Sequence, residues 1–134
     1  MNRLVLVDTG AWYALTVSAD PNHQRAAEWL AQAAAPLLTT DYIVDETLTL
    51  LRARGERRKA LELGEEFFAG KLAEVYRLTD DDLRAAWHIF RDYNDKDWSF
   101  TDCTSWVVIQ TLGLTTAFAF DRHFKQFGNV IVAP

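Results

Sequence analysis

Residues 4–8 read Leu-Val-Leu-Val-Asp, four consecutive apolar side chains stopped by a carboxylate. A strand with one face in water would alternate polar and apolar residues, and this run does not alternate. It must be covered on both faces, which places it in the middle of a mostly parallel sheet flanked by helices. Ligands of such sheets collect outside the carboxyl ends of the strands. Asp8 stands at that end, and Thr9-Gly10 turns the chain away.

The rest of the chain repeats the alternation of strand and helix. Further strands are expected over 37–39, 74–78 and 116–120, with an edge strand over 129–132. Between them, helical spacing of apolar residues predicts helices near 11–15, 22–34, 41–53, 56–68, 79–93 and 99–113. Pro36 and the glycines at 55, 70 and 113 punctuate them, and Thr40 or Asp41 can cap the third. Thr79 with Asp82, and Ser99 with Asp102, have the spacing of capping boxes. The expectation is one α/β domain over residues 1–134, with a central mostly parallel sheet of four to five strands and right-handed crossovers.

Composition removes several functional classes. Cys103 is the only cysteine, so no internal disulfide or cysteine-based metal site can form. His23, His88 and His123 show no zinc-ligand spacing. A net charge of −5 argues against broad attraction to nucleic acid, although a local basic patch can still act. No apolar run approaches the ~20 residues of a membrane span, and no signal peptide is evident. The expected location is the cytoplasm, with no membrane partner.

The acids carry the chemistry, and each has a structural alternative. Asp8 and Asp121 both follow apolar strands, where an acid can be a helix N-cap. Glu46 falls at the margin of the apolar stripe of its helix, near Ile43 and Leu50, whereas Asp45 looks like a surface residue. Asp102 can serve the capping box of Ser99, at a helix start that itself favours an ionised carboxylate. Asp95 and Asp97 belong to a polar loop. If the rim acids converge, each pair ~4 Å apart repels by about 4 kcal/mol at an effective dielectric near 20. A hard divalent cation with oxygen ligands relieves that repulsion. Mg2+ or Mn2+ in such a site activates water and orients phosphoryl oxygens, the chemistry of phosphodiester hydrolysis.

Four segments together resemble a known family. Leu-Val-Asp8-Thr9, Asp45-Glu46-Thr47, Ser99-Phe-Thr-Asp102 and Ala119-Phe120-Asp121 resemble the PIN domain, of the kind found as the toxin ribonuclease of VapBC toxin–antitoxin pairs. The resemblance runs the whole chain in order and in length. It implies a three-layer α/β/α sandwich and a Mg2+- or Mn2+-dependent endoribonuclease that cuts RNA by a metal-activated water. Asp8, Glu46, Asp102 and Asp121 match the acidic positions, with Asp8 and Asp102 expected to hold the principal ion. Glu46 would join directly or through a water, and Asp121 would orient the attacking water or serve a second ion. Thr9 and Ser99 or Thr101 match polar positions that support the acids. The expected products carry a 5′-phosphate and a 3′-hydroxyl. The expected partners are an RNA substrate, a VapB-like antitoxin and a second copy of the chain.

Other residues have two readings each. Arg52, Arg54, Arg57, Arg58 and Lys59 form either a solvated helix face paired with Glu56 and Glu62 or a phosphate track. Arg122, His123 and Lys125 could neutralise phosphate beside Asp121 or belong to a short surface helix. Trp29, Trp87 and Trp106 fit helical core patterns, whereas Trp12 and Trp98 could stack a base or meet a partner. Cys103 reads as a small buried residue rather than a nucleophile. Three rivals remain. One is a catalytically idle module of the same fold. Another is an aspartic protease-like chain suggested by Asp8-Thr9-Gly10, which needs an almost wholly β fold. The third, a receiver domain, lacks its acid pair and late lysine.

Overall fold

In the computed structural model, which describes residues 3–134, strands and helices alternate along the chain. The strands are β1 (Val5–Val7), β2 (Leu37–Thr40), β3 (Glu74–Tyr76), β4 (Thr116–Phe118) and β5 (Ile131–Ala133). The helices are α1 (Thr9–Thr16), α2 (His23–Gln32), α3 (Asp41–Ala53), α4 (Arg57–Phe68), α5 (Asp80–Asp92) and α6 (Phe100–Leu112), and a 3-10 helix covers Arg122–Phe127. Every strand pairing is parallel, in the order β3-β2-β1-β4-β5. The helices exclude the protease alternative, which required a β chain.

β1 is central, as its unbroken apolar run demands, and Leu6 and Val7 are fully buried. The chain steps from β1 to β2 to β3, then crosses back to β4 and β5. Right-handed crossovers in opposite directions place helices on opposite faces, which gives the three layers. On one face α1 packs on α2 and α3, and α3 on α4; on the other α5 packs on α6. The reversal between β1 and β4 is a topological switch point, with a crevice at their carboxyl ends. The Asp8 amide donates to the Phe118 carbonyl at 3.0 Å and holds those two ends together.

The helix starts that matter are set by capping. Thr40 accepts from the Ile43 amide at 3.0 Å. Both capping boxes form, Thr79 with Asp82 and Ser99 with Asp102. Gly113 ends α6 in the left-handed region (φ 64°), which a side chain would resist.

Three expectations need correction. β4 ends at Phe118, not at 120: Ala119 still donates to the Ala133 carbonyl at 2.9 Å, after which the chain leaves the sheet and enters the 3-10 helix. Asp121 is therefore not at a strand end. Trp87 is 51% exposed, because α5 turns Asp82 and Ala86 inward instead. Trp12 and Trp98 are core residues. The Trp12 indole donates to Thr39 Oγ1 at 3.3 Å and meets Phe67 edge-on. Trp98 donates to Gln126 Oε1 at 2.7 Å and packs among Tyr93, Trp106 and Phe127. Neither ring is free to stack a base.

Candidate metal centre

Asp8 precedes α1 but makes no capping hydrogen bond, so the usual structural duty of an acid at a helix start is absent. It is 4% exposed, and its buried Oδ1 has no hydrogen-bond partner among the described residues. Burial pushes the Asp8 carboxyl up to about 8; Asp102, then Glu46 and Asp121, push the same way, against the Thr9 amide. An acid so placed is costly unless something positive or a proton compensates it.

Glu46 reaches the same rim from the second turn of α3. Thr9 Oγ1 donates to Glu46 Oε1 at 2.5 Å, and Thr47 Oγ1 lies 3.4 Å behind Thr9. Burial raises the Glu46 carboxyl most, with Asp102, Asp121 and Asp45 adding to it and the Thr9 hydroxyl opposing. The margin position on the helical wheel is thus a partly buried position between elements.

Asp102 forms the capping box expected of it. Its Oδ2 accepts from the Ser99 amide at 3.0 Å, and its own amide donates to Ser99 Oγ at 3.0 Å. It is also buried and electrostatically coupled to Asp8 and Glu46. Asp121 Oδ1 accepts from the His123 amide at 2.9 Å and caps the 3-10 helix. Asp102, Asp121 and His123 can offer ligand atoms that lie within 4.8 Å of one another.

The fold therefore gathers four acids from the end of β1, from α3, from α6 and from the segment after β4. Among the described residues no lysine or arginine pairs with any of the four. The basic side chain that does meet them is His123, against Asp102 and Asp121. Hard oxygen donors around an orphaned, buried carboxylate oxygen suit a small divalent ion such as Mg2+ or Mn2+.

His123 has a place in the site that the sequence did not indicate. The sequence allows it to neutralise phosphate beside Asp121 or to belong to a short surface helix. Its side chain is instead 15% exposed, with Nδ1 2.8 Å from Asp102 Oδ2 and 3.2 Å from Asp121 Oδ1. Arg122 is exposed and lies 3.8 Å from Asp97, and Lys125 is exposed nearby. Thr101 lines, with Glu46 and Thr49, an open groove between α3 and α6. Asp45, Asp95 and Asp97 are exposed. Cys103 is fully buried, and burial, then Asp102, raises its thiol to about 11, which leaves no thiolate for chemistry. In the basic run, Lys59 lies 3.8 Å from Glu56 and Arg54 sits over the Tyr13 ring.

Comparison with known proteins places this arrangement. Residues 5–130 match the PIN domain. The 23S rRNA-specific endonuclease VapC20 of Mycobacterium tuberculosis is 32% identical over 134 residues, spanning 98% of this chain and 99% of that protein. The crystal structure of Mycobacterium tuberculosis VapC20, described as a sarcin–ricin loop cleaving toxin, matches with a TM-score of 0.90 at 30% identity, over 97% of this chain and 99% of that one. FitAcB from Neisseria gonorrhoeae matches in fold, with a TM-score of 0.67 at 17% identity, over 97% and 96% of the two chains.

Proposed function

The chain belongs to the PIN domain family, and from that membership we propose that it is a Mg2+- or Mn2+-dependent endoribonuclease of the VapC type, the toxin of a type II toxin–antitoxin pair. The observation that carries the reading is the buried, unpartnered Oδ1 of Asp8 facing a field made by three further carboxylates.

Asp8 and Asp102 would hold the principal ion, with Glu46 joining directly or through a water and Asp121 orienting the attacking water or serving a second ion. A bound ion of this kind polarises a phosphoryl oxygen and lowers the pKa of a coordinated water toward neutrality. The protein's own share is placement. The Thr9 hydroxyl engages Oε1 of Glu46 and leaves Oε2 for the site, and the Ser99 amide does the same for Asp102 through Oδ2. Arg122 and Lys125, exposed beside Asp121, meet backbone phosphates. Cleavage leaves a 5′-phosphate and a 3′-hydroxyl.

The domain is taken as residues 1–134 and the location as the cytoplasm; no helix among the described residues is long and apolar enough to cross a membrane. An antitoxin and a second copy of the chain are the expected protein partners. Exposed apolar residues on α4 (Leu61, Phe68) and α5 (Trp87, Phe90) supply surface of the kind that partners cover.

The test is cleavage of RNA in Mn2+ by the wild type and by Asp8→Asn. Large-subunit ribosomal RNA is the first substrate to try, given the described target of the relative. Cleavage by the wild type and none by the variant is expected. Equal cleavage by both rejects the assignment, and a wild type inert on every RNA favours the idle scaffold.

A further inference from the structure

We propose that His123 is a positioning residue that clamps Asp102 and Asp121 together, so that each presents its remaining carboxylate oxygen to the ion. The inference rests on the metal-dependent reading above and adds a residue that the acidic pattern alone does not contain.

The hydrogen bonds specify which oxygens are taken. The imidazole Nδ1 lies 2.8 Å from Asp102 Oδ2 and 3.2 Å from Asp121 Oδ1, so one N–H reaches both carboxylates. The His123 amide donates to the same Asp121 Oδ1 at 2.9 Å. Asp102 Oδ2 also receives the Ser99 amide at 3.0 Å. Asp102 Oδ2 and Asp121 Oδ1 are therefore each served by two donors, and the open oxygens are Asp102 Oδ1 and Asp121 Oδ2.

The architecture explains why a clamp is needed. Asp102 is fixed at the start of α6, but Asp121 lies beyond the end of β4, on a segment that has left the sheet. Two like charges at this range push apart. A donor shared between them fixes their separation without neutralising both. The ring is held in turn from its own backbone, because Phe124 and Phe127 of the same 3-10 helix are buried and Gln126 bonds Trp98 at 2.7 Å. This is the outer-shell role that orients ligating carboxylates in metal sites.

The experiment uses the full chain and reads Mn2+ affinity from the electron paramagnetic resonance signal of free Mn2+. His123→Asn keeps an N–H near the position of Nδ1, whereas His123→Gln carries its amide farther out, near Nε2, and His123→Ala has none. The clamp predicts roughly 10–100-fold weaker Mn2+ binding for His123→Ala and His123→Gln. Affinity near wild type is expected for His123→Asn, and kcat for RNA should follow the same order with KM unchanged. A residue of merely structural importance would lower the ion-free melting midpoint in all three variants and show no selective rescue by asparagine. Should the alanine variant fail to fold, the asparagine–glutamine comparison decides.

His123→Ala binding Mn2+ as tightly as the wild type, or asparagine failing to rescue, overturns the clamp. Imidazole nitrogen coupling on the bound Mn2+ also overturns it, because His123 would then be a ligand. Asp8→Asn serves as the control. If it loses Mn2+ while His123→Ala retains it, the clamp falls and the metal reading stands. If the wild type binds no Mn2+, both fall.

Discussion

Thr9 Oγ1 donates to Glu46 Oε1 across 2.5 Å and ties the first residue of α1 to the second turn of α3. The bond joins residues 37 positions apart and decides which Glu46 oxygen stays open. Thr9→Val keeps the shape and removes the donor. It should weaken Mn2+ binding by roughly tenfold, the cost of losing an outer-shell partner, and Thr9→Ser should restore it. Calorimetric titration of the three proteins checks this; unchanged affinity in the valine variant would sink it.

Asp8 makes ion-free stability depend on pH in an unusual direction for a carboxylate. Burial, then Asp102, lifts its folded-state pKa from 3.8 to about 8, so the folded protein keeps a proton that the unfolded chain has released. Between those values the folded state binds more protons. The stabilisation is complete below the lower value and is lost as pH rises through the upper one. Glu46 shifts the same way. The ion-free melting midpoint should therefore fall from about pH 5 to about pH 8. Mn2+ must displace the proton to bind, so its stabilising effect should grow over the same interval. Midpoints recorded with and without Mn2+ across the range test both slopes, and an ion-free midpoint that climbs with pH contradicts the assignment.

Asp8→Asn separates function from folding. It removes the buried acid but keeps its volume, so RNA cleavage should vanish. Ion-free stability at about pH 8 should rise, by roughly 1 kcal/mol or about 3–5 °C for a chain of this size. A destabilised Asp8→Asn protein would mean that the acid has a structural duty not visible in its hydrogen bonds.

Trp98 and Trp87 make a paired test of the packing. Trp98 is 6% exposed within an aromatic cluster, and Trp98→Ala should cost about 3–5 kcal/mol by urea denaturation. Trp87 is 51% exposed, and Trp87→Ala should cost less than about 1 kcal/mol in the monomer. Similar losses at both positions would show that α5 packs differently.

The sheet was legible because β1 carries its own signature, an apolar run that only a central parallel strand accepts. Asp8 was legible from its place at the end of the run; the spacing of Ser99 and Asp102 showed a capping box, and Asp102 entered the site reading through the resemblance to the PIN domain. The end of β4 was not, because pairing past Phe118 depends on what β5 offers, and β5 is a distant segment. His123 was unreadable for the same kind of reason: its partner Asp102 lies 21 positions earlier, and nothing local says where the ring turns. Trp98 looked exposed beside Asp95, Lys96 and Asp97; its burial comes from Trp106 and Phe127. Trp87 looked internal because it shares a stripe with Leu83 and Phe90, but the residues α5 buries are Asp82 and Ala86.

Asp121 and His123 come after every other member of the site, on a short helix seated by Phe124 and Phe127. A polypeptide still being synthesised thus has no complete centre until this last piece has emerged and docked. Such an order of assembly makes the carboxylate cluster one of the last features of the chain to be completed.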